Sequence, residues 1–156
     1  MLYNSNIIAF VGTGQNPKYP LNRLVFWDQS KSKEICNLTY NCYIISIKLK
    51  EDKIFVICEQ KIYVHSFNDF KLVESIDTFK NTKGLFSVNT SADRTLIAFL
   101  EKNIGSIKIK NYNTNTGMSI TTSKSAPAYF TLNNEGIILA TSSERVIFIL
   151  FYINFI

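Results

Sequence analysis

Histidine is almost absent from this chain, and with it most of the means of enzymatic catalysis. Among 156 residues there is one histidine, His65, alongside three cysteines, three prolines, six glycines and one tryptophan. Nucleophilic triads and metal centres need several such side chains converging on one point. His65 instead lies in Ile62-Tyr63-Val64-His65-Ser66-Phe67, an apolar run where it reads as a structural, half-buried side chain. The carboxylates of Glu51 and Asp52 fall in a turn and read as solvated. No enzyme activity and no cofactor are expected. Cys36, Cys42 and Cys58 are odd in number and contain no C-x-x-C pair, so neither a disulfide framework nor a zinc-ligand spacing is present. With no secretory signal visible at Met1-Leu2-Tyr3-Asn4-Ser5, which carries no basic residue, reduced thiols in the cytosol are expected. Few glycines and prolines exclude a collagen-like or low-complexity chain. Long hydrophobic runs are scarce too: the longest, residues 146–153, is far short of the roughly 20 residues that span a bilayer. Arginine contributes only 3 of the 17 basic residues. A lysine-dominated surplus of +5 suits diffuse attraction to polyanions better than bidentate phosphate recognition. Lys48, Lys50, Lys53 and Lys61 cluster near Phe55 and Tyr63, but these aromatics alternate like core residues. No nucleic-acid partner is expected.

What is abundant is strand. Runs rich in Ile, Val, Phe and Tyr occupy residues 7–11, 24–27, 34–39, 44–49, 54–58, 62–67, 72–76, 84–88, 96–100, 106–110, 128–132, 137–141 and 146–152. Such residues fit a pleated, half-buried surface. In Ile45-Ser46-Ile47-Lys48-Leu49-Lys50 the apolar side chains are expected on one face and Ser and Lys on the other, and Ile107-Lys108-Ile109-Lys110 repeats the pattern. Turn-forming residues separate the runs, as in Asn113-Thr114-Asn115-Thr116-Gly117 and Asn133-Asn134-Glu135-Gly136. Units of similar pattern begin near Ile44, Gly84 and Ala128, a period of 40–44 residues. WD-type propeller blades, of four strands each, repeat at roughly 40–45 residues. The fold class is therefore all-β, an incomplete WD-type propeller of three to four blades, since closed propellers usually carry about 4–8. An open fan of this kind leaves sheet edges uncovered and favours association.

One segment imitates a nucleotide loop. Val11-Gly12-Thr13-Gly14-Gln15-Asn16-Pro17-Lys18 follows a strand and contains Gly-x-Gly. Pro17 holds the third small-residue position, and Pro20 follows, so no helix can start there to receive a pyrophosphate. A connecting loop that uses glycine for positive φ is the expected reading.

That loop belongs to a longer run, Ile8-Ala9-Phe10-Val11-Gly12-Thr13-Gly14-Gln15-Asn16-Pro17-Lys18-Tyr19-Pro20-Leu21-Asn22-Arg23-Leu24-Val25-Phe26-Trp27-Asp28. It resembles the second-blade signature of the PROPPIN family, seven-bladed WD-repeat propellers. Further matches follow in order: Lys61-Ile62-Tyr63-Val64-His65 resembles the third-blade strand, Lys83-Gly84-Leu85 the N-P-x-G-L turn, and Leu139-Ala140-Thr141-Ser142-Ser143-Glu144 the L-A-T-A-S-E strand. The resemblance places residues 6–145 on blades two to four of a seven-bladed parent.

The resemblance implies a phosphoinositide effector in autophagosome formation that binds phosphatidylinositol 3-phosphate, and often the 3,5-bisphosphate, through two rim pockets flanking an Arg-Arg-Gly motif. It implies a cytoplasmic protein, peripheral at autophagic or endosomal membranes, with autophagy lipid-transfer or conjugation proteins as partners. Thr141, Ser143 and Arg145 fall on the first pocket, Ser143 being the better match to a phosphate-contacting serine. The departures are specific. After Glu144 the Gly-Thr pair, both motif arginines, the second pocket and the insertion loop are missing, and the upstream histidine is replaced near Ser123. A truncated parent with a weakened or lost lipid site is the expectation, and a protein-interaction scaffold is the alternative. For the apolar tail, residues 146–156, three readings stand: a last buried strand, a short interfacial anchor, and a non-native ending.

Overall fold

The structure is a computed structural model that describes residues 6–122, 125–143 and 149–152. No helix occurs among the described residues. They form fourteen strands: β1 (Ile7–Val11), β2 (Arg23–Asp28), β3 (Lys33–Thr39), β4 (Ile44–Lys50), β5 (Lys53–Cys58), β6 (Lys61–Ser66) and β7 (Leu72–Asp77), then β8 (Phe86–Val88), β9 (Leu96–Leu100), β10 (Ser106–Asn111), β11 (Thr116–Thr121), β12 (Tyr129–Leu132), β13 (Ile138–Ser142) and β14 (Ile149–Tyr152). Strands adjacent in sequence are adjacent in space, giving four sheets ordered β1-β2-β3, β4-β5-β6-β7, β8-β9-β10-β11 and β12-β13-β14. Sheets two, three and four open at Ile44, Phe86 and Tyr129, matching the repeat read from the sequence. Serial meander sheets of one repeat length are the units of a propeller.

The chain divides into two compact units, Met1–Ile76 and Asp77–Ile156. In the first, Leu24, Phe26, Tyr40, Ile54 and Val56 form the buried core, with Val11, Leu38, Ile47 and Leu49 packed against it. In the second, Leu96, Ala98, Leu100, Ile107, Ile109, Phe130 and Leu139 do so. The second strands of the sheets explain the continuous apolar runs. β5 buries Ile54 through Cys58 and β9 buries Leu96 through Leu100, because both faces of these strands are covered. Outer strands alternate instead. β3 runs exposed, half-buried, exposed along its whole length.

Two expectations need correction. In β4 the ladder shifts between Ile44 and Ser46. This bulge turns Ile45 outward, 38% exposed, while Ile47 and Leu49 keep the core face. Lys50, expected on the polar face, is buried. The second concerns β11. Thr116 and Gly117 read as turn and residues 116–121 show no strand run, yet Thr116–Thr121 pairs along the length of β10 and places Met118 and Ile120 on the second core. Ser, Thr and Gly dilute its apolar content, so only the spacing of Met118 and Ile120 marks it. The Ile107-Lys108-Ile109-Lys110 alternation is realised, with both isoleucines fully buried.

Candidate functional site

β13 carries the residues that the resemblance assigned to a headgroup pocket. Its ladder pairs Thr141 with Phe130 of β12 and with Ile149 of β14. Alternation along the strand puts Leu139 and Thr141 on the buried face, and Thr141 is only 4% exposed. Ser143 follows one residue past the end of β13 and is half-buried. The neighbouring backbone is pinned by the Ala128 N–H, which donates to the Ser142 carbonyl at 2.8 Å. The structure thus brings Thr141 and Ser143 to one strand end. Arg145 lies outside the described residues, as do residues 146–148 and 153–156 of the tail. Of the tail, residues 149–152 pair with β13 as a strand.

The half-buried Ser143 hydroxyl can donate one hydrogen bond to a phosphate oxygen, Thr141 is too deeply buried to do so, and neither brings charge. Phosphate recognition draws its strength from charge-assisted and bidentate contacts, chiefly from arginine. Arg23 is already ion-paired with Glu34 at 3.3 Å, and the Arg94 Nε donates to the Glu135 carbonyl at 3.0 Å.

The Gly-x-Gly loop is structural. It connects β1 to β2 without a helix. Gly14 has φ of +92°, the positive value expected. Gly12 serves a second purpose, because a Cβ there would strike the backbone carbonyl of Tyr19.

His65 is likewise structural. The Tyr40 hydroxyl lies 3.0 Å from its Nε2, and its Nδ1 lies 3.0 Å from the Phe70 carbonyl. A carbonyl only accepts, so Nδ1 carries the proton and Nε2 accepts from Tyr40. Burial lowers the imidazole pKa, and the hydrogen bond to Phe70 only partly opposes it. The ring is a neutral bridge between β6, the turn after β3 and the turn after β6. Burial also holds the Tyr40 hydroxyl protonated well above the usual phenol range.

Sequence reasoning missed the asparagines. Asn81 is buried at 2% exposure and clamps the backbone of Leu85 from both sides: its Nδ2 donates to the Leu85 carbonyl at 2.9 Å and its Oδ1 accepts the Leu85 N–H at 2.7 Å. Gly84, at φ of +65°, makes the turn that allows it. Asn81 stands where the N-P-x-G-L turn has its asparagine, so the signal was in the sequence, two residues before the Lys83-Gly84-Leu85 match. Among the described residues, no group of three or more His, Cys, Asp or Glu side chains is arranged to hold a metal. Among the described residues there is no helix long and apolar enough to cross a membrane.

Comparison with known proteins bears on the whole arrangement. The PROPPIN family model matches residues 2–154. Autophagy-related protein 18e of Arabidopsis thaliana is 34% identical over 146 residues, covering 93% of this chain and 39% of the plant protein. Hsv2 of Kluyveromyces marxianus superposes with a TM-score of 0.78 at 22% identity, over 97% of this chain and 46% of that one. KlAtg21, solved in complex with the coiled coil of AgAtg16, superposes with a TM-score of 0.82 at 18% identity, over 97% of this chain and 50% of that one. The two structures establish the fold as part of a β-propeller, and the chain spans half or less of the length of all three proteins. With one family model matched across nearly its whole length, the chain belongs to the PROPPIN family, whose propellers are binding proteins rather than enzymes.

Proposed function

We propose that this chain forms part of a phosphoinositide-binding propeller that acts in autophagosome formation, with residues 6–145 corresponding to blades two to four of a seven-bladed parent. The observation that carries this reading is the family match over residues 2–154. The lipid would be phosphatidylinositol 3-phosphate or its 3,5-bisphosphate, held at cytoplasmic faces of autophagic or endosomal membranes. Thr141, Ser143 and Arg145 are the residues proposed to meet the headgroup, Ser143 through its hydroxyl and Arg145 through charge. Thr141 is better suited to shape the strand end than to reach a ligand, since it is 4% exposed. One arginine and one accessible hydroxyl hold phosphate weakly, and two full pockets would be needed for the avidity that membrane recruitment uses. Flotation with vesicles containing phosphatidylinositol 3-phosphate tests this. Weak or absent specific binding is expected for this chain. Sub-micromolar binding that requires the 3-phosphate would overturn the reading of an incomplete site.

A second reading, a protein-interaction scaffold, is favoured by β7, an outer strand of its sheet whose consecutive Leu72 and Val73 are 54% and 56% exposed, one toward each face. KlAtg21 was solved with a coiled coil of AgAtg16, and an apolar helix stripe is the kind of partner such a strand suits. Pull-down with autophagy coiled-coil, lipid-transfer and conjugation proteins separates the two readings. Capture abolished by L72K/V73K, with no lipid binding, supports the scaffold.

A further inference from the structure

Cys42 and Cys58 face each other across the first unit. Cys42 lies in the turn between β3 and β4, and Cys58 closes β5. Cys58 is the Cα partner of Ile44, two residues beyond Cys42, at the end of the β4–β5 ladder where the bulge falls. The two sulfurs are 2.6 Å apart. Both are free thiols in this structure. Even carbon atoms rest against one another only at about 3.5–4.0 Å. The two sulfurs are therefore in direct contact, with no atom between them. Cys36 packs against the same core cluster from β3 but has no such thiol opposite it among the described residues.

We propose that Cys42 and Cys58 are a redox pair that closes to an intramolecular disulfide under a peroxide. Cys42 is half-buried and Cys58 is 1% exposed, so the oxidant meets Cys42 first. The Cys42 thiolate attacks one peroxide oxygen. The O–O bond breaks, a sulfenic acid forms on Cys42, and the second oxygen leaves as water after taking a proton. The Cys58 sulfur then attacks the Cys42 sulfur. The S–S bond forms, the S–OH bond breaks, and the hydroxyl departs as a second water with the Cys58 proton. Two thiols lose two electrons and two protons, and one peroxide becomes two waters. Burial raises the Cys58 thiol pKa and keeps it uncharged at rest. It therefore resists direct oxidation and acts as the resolving partner. A reducing compartment would hold the pair as thiols between oxidative episodes.

The bond would tie the 40–43 turn to the end of β5. That turn bears Tyr43, 70% exposed, and is followed by the outward-turned Ile45, 38% exposed. Oxidation would thus fix the presentation of two exposed apolar side chains without altering the sheet beneath them. This inference is independent of the proposed lipid or scaffold function.

The test uses the folded chain and hydrogen peroxide, followed by alkylation and peptide mapping. Chymotrypsin is the protease of choice, because Tyr40 separates Cys36 from Cys42. The expected product is a monomer lighter by about 2 Da, with a Cys42–Cys58 linked peptide and Cys36 still alkylated. It should form about tenfold faster in native buffer than in urea, where the pair is no longer held together, and dithiothreitol should reverse it. C36S should give the same product at the same rate. Linkages through Cys36, disulfide dimers, sulfinic acid at Cys42 without a cross-link, or equal rates in urea would each overturn the pairing.

Discussion

Side-chain amides do in this protein what short turns cannot do alone. Asn81 satisfies both backbone groups of Leu85, and Asn89, 1% exposed, accepts from the Leu96 N–H at 2.8 Å while donating to the Arg94 carbonyl at 3.1 Å. Asn133 Oδ1 accepts from the Ile138 N–H at 2.9 Å. Each spares the protein a buried, unpaired backbone group. Asn81→Ala should therefore cost about 1–3 kcal/mol in urea unfolding, the range for leaving such groups unmatched. His65 gives a pH signature at the same scale. Its folded pKa lies below the unfolded value because burial disfavours the charged ring. The unfolded chain then binds more protons in the window just under about 6.5, so stability is full above that value and falls as the pH drops through it. Protonation would also turn Nε2 from acceptor to donor, so the buried Tyr40 hydroxyl would accept from it and lose the partner for its own proton. His65→Asn should flatten this part of the urea midpoint against pH. A second loss belongs further down. Asp28 has its pKa lowered first by the Ser30 hydroxyl, and Asp69 by the Ser66 hydroxyl. Both contribute above the ordinary carboxylate range and lose that contribution as the pH falls through their depressed values.

At the scale of elements, the instructive strands are β4 and β11. β4 reads as a clean alternation, yet the bulge between Ile44 and Ser46 shifts one isoleucine out of phase. β11 reads as a polar turn, yet Met118 and Ile120 hang on a full ladder to β10. The contrast sets up paired substitutions measured by thermal or urea unfolding. Ile120→Asp places a charge where apolar contact was and should cost about 2 kcal/mol. Ile45→Asp, at an exposed position of similar sequence character, should stay within about 0.5 kcal/mol. Equal costs would mean that the bulge does not set the facing of β4. The cysteine pair shows the same dependence on register: sixteen positions separate Cys42 from Cys58, and the hairpin of β4 with β5 brings them together.

For the whole molecule, the charge of +5 comes chiefly from lysine. Diffuse charge of this kind should give vesicle association that follows total anionic lipid and is lost at high salt. Headgroup recognition at Ser143 and Arg145 would instead follow the 3-phosphate. Flotation with phosphatidylserine vesicles at low and physiological salt, matched to vesicles with phosphatidylinositol 3-phosphate, distinguishes them. Low-salt binding without lipid preference is the expected outcome. Arg145→Ala should reduce it only to the extent of one charge.

The class of fold was legible in the sequence alone. Strand composition, turn residues and a period of 40–44 residues are local properties, and each blade-like sheet pairs neighbours in sequence, so no distant information is required. The Gly-x-Gly loop was also legible, because Pro17 forbids the helix that a nucleotide loop needs. The candidate site was legible only as a strand with hydroxyls, from its likeness to a family motif. Tertiary structure decided the rest. It buried Thr141, turned Ile45 outward, recruited β11, made His65 a neutral bridge to Tyr40 and brought two thiols to 2.6 Å. These outcomes depend on which strand lies opposite and in what register, and a side-chain period of two lets a single bulge reverse the facing of a residue.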